Sequence, residues 1–125
     1  MHHSRVSQVV IDVPPDGHDA ELASWHAAIG SPLAAMRHPE YHAAMLPGAD
    51  VRLLVQRLDE GAPRVHLDIH TDDLDAEVRR LERVGARRVR QVHSWWVMRD
   101  PAGLLFCVIP VPPGGLDDTN ARRWP

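Results

Sequence analysis

His66, Asp68 and His70 occupy alternate positions in the stretch Arg64–His70, RVHLDIH. Alternate residues of an extended strand share one face. Three proton-active side chains therefore stand in a row, and such a row either meets water or lines a pocket. His66 and His70 are four residues apart, roughly 13 Å along a strand, too far to share one metal ion. His66 beside Asp68 is the better pair. A neighbouring carboxylate favours the charged imidazole, and the two together can move a proton. The plainer reading is the solvated face of a half-exposed strand.

The elements needed to position this row are legible around it. Asp72 or Asp73 can cap a following helix, in which Leu74, Val78, Leu81 and Val84 recur at helical spacing. Acidic residues crowd its start and arginines its later turns, which suits the helix dipole, and Gly85 fits the position just past its end. RRVRQV, WWVMR and LLFCVIPV then read as three strands. Asp100-Pro101-Ala102-Gly103 fits a type I turn between the last two.

The first half repeats the order. RVSQVVIDV, Arg5 to Val13, is a strand that stops at Pro14-Pro15. Leu22, Trp25 and Ile29 mark one face of a helix that ends at Gly30. AAMRH, YHAAML and VRLLVQRL supply three short strands. DAEL at Asp19–Leu22 returns as DAEV at Asp75–Val78. Strand–helix–three strands, twice, is an internal duplication. The modules run over about 4–60 and 61–111, and 112–125 is a tail without periodicity. His2 and His3 sit where a chain end is expected to fray.

Composition sets the outer bounds. The chain has 125 residues and a net charge of −3, and all 14 basic residues are arginine. One domain is the default at this length, and nucleic acid is a poor partner without a basic surplus. The single Cys107 excludes an internal disulfide framework. With no signal peptide and no apolar run of membrane-spanning length, a cytoplasmic location is expected.

RVHLDIHTDDLDAEVRRLERVGA and WWVMRDPAGLLFCVI, with DVPP…W…AIG in the first half, resemble the vicinal oxygen chelate superfamily. This is the glyoxalase, bleomycin-resistance and dioxygenase group, and the glyoxalase-like branch is the most similar. The resemblance implies an α+β fold of two βαβββ modules, whose mixed sheets curl into one cup with the helices on the outer faces. It places metal ligands at Gln8, Leu54, His66 and Cys107. Leu54 cannot ligate and Cys107 replaces a carboxylate, so no cofactor is expected. A divalent ion, if bound, would use His66, Gln8 and Cys107.

The expected ligand-binding lining is Gln8, Asp12, Met45, Gln56, His66, Asp68, Trp96, Met98 and Cys107. Trp96 and Met98 enter it by pairing Trp96 with Cys107. A slip of one residue would turn Trp95 inward instead. Trp96, Met45 and Met98 also read as plain core. Leu67 and Ile69 are expected under the helix.

The function so implied is binding or sequestration of a small, partly aromatic metabolite or antibiotic. The alternative is a lyase or isomerase in which His66 and Asp68 transfer a proton, with or without a metal. A homodimer is expected, with Trp124 as an aromatic anchor on the partner.

Overall fold

The computed structural model describes residues 1–48 and 50–125. Among them are nine strands and two α-helices, a mixed α+β fold. Strand β1 spans His2–Val13, helix α1 His18–Ile29, and β2, β3 and β4 span Ala34–Ala35, Tyr41–Met45 and Arg52–Arg57. The pattern then recurs as β5 (Arg64–Thr71), α2 (Leu74–Arg83), β6 (Arg87–Val92), β7 (Trp95–Arg99) and β8 (Leu105–Pro110). The duplicated order expected from the sequence is present. A ninth strand, β9 (Arg122–Trp124), follows it. No helix among the described residues is long and apolar enough to cross a membrane.

The chain divides into two compact units, Gln8–His66 and Met1–Ser7 with Leu67–Pro125. In the first of these, β4 lies between β3, antiparallel, and β1, parallel. A parallel pair needs a long crossover, which α1 supplies. Ile11, Val13, Leu53 and Val55 are buried together, with Leu22, Trp25 and Ile29 packed against them. Val9, Ile11 and Val13 therefore face the helix. Gln8, Val10 and Asp12 face the other way, because alternate strand residues do. α1 ends at Gly30, whose left-handed φ of 73° suits a residue without a Cβ.

The second unit repeats the scheme, with β8 parallel to β5 and antiparallel to β7, and β7 antiparallel to β6. Asp73 caps α2, its side chain accepting from Ala76 N at 3.0 Å, a contact worth about 1 kcal/mol. Val78, Ala86, Met98 and Val108 form the core, joined by Leu74, Leu81, Trp96 and Phe106. Leu67 departs from expectation and is 43% exposed.

Both chain ends belong to this unit, contrary to the frayed terminus and aperiodic tail read from the sequence. β9 pairs with β1, His2 opposite Trp124. His2 is buried and donates from Nε2 to Glu77 Oε2 at 2.6 Å. Ser4 Oγ donates to Glu77 Oε1 and in turn accepts from Trp124 Nε1 at 2.8 Å. Arg80 stacks over the Trp124 ring, 3.7 Å from its centroid. Trp124 thus has its anchoring contacts within its own chain.

His3 donates to two carboxylates, Asp118 at 2.9 Å and Asp72 at 2.8 Å. Only the imidazolium has two N–H groups to give. The hydrogen bonds to Asp118 and then Asp72 raise the His3 pKa above its ordinary value. A raised histidine stabilises the fold below its unfolded pKa of about 6.5, and that contribution is lost as pH rises through the folded value. Amide exchange across β9, corrected for the intrinsic rate, should therefore quicken between pH 6 and pH 9. In His3→Gln the corrected profile should be flat over the same range.

Candidate functional site

On the face of the Gln8–His66 unit turned away from α1, strand register builds three cross-strand rows. Met45, Arg52 and Gln8 form one, Ala43, Leu54 and Val10 the next, and Tyr41, Gln56 and Asp12 the third. The apolar middle row is flanked by polar rows, a composition suited to a small-molecule site. Gln8, Val10, Asp12 and Leu54 are all buried, whereas Met45 is 50% exposed.

The third row ends in chemistry. Asp12 is 1% exposed. Its Oδ2 accepts from His66 Nδ1 at 2.6 Å and lies 3.4 Å from Arg64 Nε. Its Oδ1 is buried without a hydrogen-bond partner among the described residues. A carboxylate taken out of water is costly unless paired, and here the pairing carries consequences for the histidine. The Asp12 acceptor keeps the imidazole proton on Nδ1, so Nε2 becomes the basic atom of the ring. That is the base–orienter relation of general-base sites.

Sequence reasoning placed Asp12 on this face but assigned the proton-transfer partnership to Asp68. The two partners are 54 positions apart in the chain. What could have found the pair was the alternation alone, since Asp12 and His66 fall on the same parity as their apolar neighbours' opposites. Arg64, missed altogether, is the residue one alternation before His66 on β5.

In the other unit, Asp68 is the register partner of Cys107, and their donor atoms lie within 4.8 Å. His70 pairs with Ile109 in the same register. The expected places of Trp96 and Met98 need correction. Trp96 pairs with Val108 and Met98 with Phe106, and both pack beneath α2, Met98 with no exposure. Val97 is the residue opposite Cys107, so Trp95 shares the Cys107 side of β7.

The turn explains the slip. Gly103 N donates to Asp100 O at 2.9 Å, as a type I turn over Asp100–Gly103 requires. Gly103 then adopts a φ of 95°, and Asp100 N donates to Leu104 O. The loop is a three-residue one closed by a left-handed glycine. It shifts the pairing by one residue and exchanges the two faces of β7.

The four positions that the resemblance assigns to a metal do not fit one. Leu54 is a buried alkyl chain in the middle row between Ala43 and Val10. Gln8 is a neutral donor, and a centre built on it and His66 lacks the carboxylates that hard divalent ions select. Asp68 and Cys107 offer one oxygen and one sulfur. Such a mixed set is of the kind zinc accepts.

The sequence matches the family model described as glyoxalase-like domain over residues 8–109. No curated protein matches it. Among solved structures it is similar to methylmalonyl-CoA epimerase from Mycobacterium tuberculosis. The identity there is 22%, over 86% of this chain and 88% of that one, with a TM-score of 0.61. A hypothetical protein from Bacillus halodurans C-125 superposes with a TM-score of 0.65 at 10% identity, over 91% and 99% of the two chains. A mutant of 4-hydroxymandelate synthase from Streptomyces coelicolor gives 0.60 at 14% identity; the match takes in 86% of this chain and 49% of that one. These likenesses are of fold. The match over residues 8–109 shows that the chain belongs to the glyoxalase-like domain family.

Proposed function

We propose that this chain transfers a proton at the acidic carbon of a small carbonyl compound, as an isomerase or epimerase does. His66 is the base and Asp12 the residue that positions it. The 2.6 Å hydrogen bond from His66 Nδ1 to the buried Asp12 carries the reading. His66 Nε2 takes the proton from carbon, and the C–H electron pair moves onto the carbonyl as an enolate. The imidazolium so formed is held by Asp12, whose negative charge it neutralises. Solvent water then donates a proton to the opposite face of the enolate, and the imidazolium gives its own proton to the hydroxide left behind, which yields the epimer and restores His66. Arg64, half exposed beside Asp12, suits a carboxylate or enolate oxygen of the substrate. Val10, Leu54 and Ala43 supply an apolar floor.

Binding without turnover, of a partly aromatic metabolite or antibiotic, is the second reading. Leu54 favours it, since an alkyl side chain stands where the resemblance implies a metal ligand.

Deuterium exchange separates the two. A methylmalonyl thioester, the class of compound named for the mycobacterial relative, is incubated with the protein in D2O and followed by proton NMR. Loss of the α-proton signal in wild type, and its retention in His66→Ala, is the expected result. Saturable binding with no exchange above the buffer rate would favour sequestration and reject the catalytic reading for this substrate class.

A further inference from the structure

On the helix side of the Gln8–His66 unit, away from Asp12, two histidines meet. His18 opens α1 and His42 lies on β3, paired with Val55 of the core. Their ring centroids are 5.1 Å apart and the planes are tilted by 58°. His18 is 5% exposed. His18 Nε2 and His42 Nδ1 are both buried without a hydrogen-bond partner among the described residues.

One buried ring nitrogen left unpaired forgoes the hydrogen bond that water gave it in the unfolded chain, a net cost to folding. Two, on rings in contact, form a repeated polar defect in a layer otherwise built of Ile, Val, Leu and Trp. Core packing does not call for it, because an aliphatic residue at either position would fill the layer without the defect. A shared ligand would explain both nitrogens at once. Two imidazoles on one tetrahedral ion, each nitrogen about 2 Å from the metal, hold their ring centroids roughly 5 Å apart. That is the spacing found. His18 Nδ1 lies 3.7 Å from Asp19 Oδ1, an ion-pair distance at which the carboxylate charge favours the proton on Nδ1 and the lone pair on Nε2. A carboxylate behind a ligating histidine plays this part in many metal sites. Burial, then His42 and Arg57, lower the His18 pKa. The His18 ring is thus favoured as a neutral ligand near pH 7.

We infer that His18 and His42 form a two-histidine seat for an imidazole-preferring transition-metal cation such as zinc, separate from His66. The Arg57 charge faces His18 and opposes a cation, while Asp19 offsets it in part. With two protein donors, water completes the coordination, and the ion exchanges instead of being locked in as in a four-ligand structural site.

Zinc chloride alone is the probe, titrated into the full chain while histidine ring resonances are followed by NMR. The His18 and His42 signals should shift together and saturate at one ion per chain. The same isotherm should persist in a His66→Ala, Cys107→Ser double variant, which keeps this seat distinct from any metal at the proton-transfer face. His42→Gln, at a half-buried position, should weaken binding by at least roughly tenfold, and Arg57→Gln should tighten it. His18 and His42 signals that stay unmoved through excess zinc would overturn the inference. So would an isotherm left unchanged by both His18→Gln and His42→Gln.

Discussion

Glu77→Ala should destabilise the fold by about 3–5 kcal/mol, the cost of leaving a buried charge network without one partner. Glu77 is fully buried on α2 and accepts four hydrogen bonds. They come from His2 Nε2, Ser4 Oγ, Arg80 Nε and Arg80 Nη2. Removing the carboxylate orphans donors on two elements, β1 and α2, and loosens Ser4, which accepts from Trp124 of β9. A domain of this size has a total stability of about 5–15 kcal/mol, so about a fifth of it or more rides on one side chain. The figure measures deletion and not the worth of the network against an apolar replacement, which is often near zero.

The same residue sets an acid limit. Burial pushes the Glu77 pKa up, but the hydrogen bonds from Arg80, His2 and Ser4 outweigh it and hold the pKa below the usual glutamate value. A depressed carboxylate contributes stability above its unfolded pKa of about 4.3 and loses it as pH falls through the folded value. Urea unfolding should therefore show the full cost of Glu77→Ala at pH 7 and a much smaller cost at pH 3. A variant equally stable at both would place the burden elsewhere.

This network also marks the boundary of what the sequence discloses. Hydrophobic periodicity and turn residues announce structure that is local: both helices, the Asp73 cap, the Asp100–Gly103 turn and the repeated strand–helix–three-strand order. Glu77 looks from sequence like one more acid in the first turn of a helix. Its partner His2 lies 75 residues away, and nothing in MHHS signals a buried strand. The β7 register was ambiguous for a different reason. WWVMR offers large apolar residues on both parities, Trp95 and Val97 against Trp96 and Met98. Only the left-handed Gly103 and the packing under α2 decide between them. At the candidate site, alternation put His66 and Asp12 on the correct faces. The choice of Asp12 over Asp68 as orienter depends on contact between strands far apart in the chain, which alternation does not encode.

Asp12→Asn should lower turnover of an exchanging thioester by roughly 10²–10⁴-fold, the range a positioned acid–base group contributes, while KM changes little. Asp12 is buried and reaches His66 rather than the solvent, so on the proposed reading it acts through the histidine, and an asparagine of nearly the same shape keeps its place in the row. An asparagine can present its amide N–H₂ to Nδ1 as readily as its oxygen. That would turn the lone pair to Nδ1 and the proton to Nε2, the wrong tautomer for a base. It also removes the negative charge that stabilises the imidazolium once the proton has been taken. Asp12→Glu restores the charge but moves it by one methylene, and should recover only part of the rate. His66→Ala combined with Asp12→Asn should be no slower than His66→Ala alone, because a positioning residue has nothing left to position. Rates that multiply in the double variant would mean that Asp12 acts independently of His66, and the dyad would have to be abandoned. A large rise in KM with kcat unchanged would instead make Asp12 a binding residue.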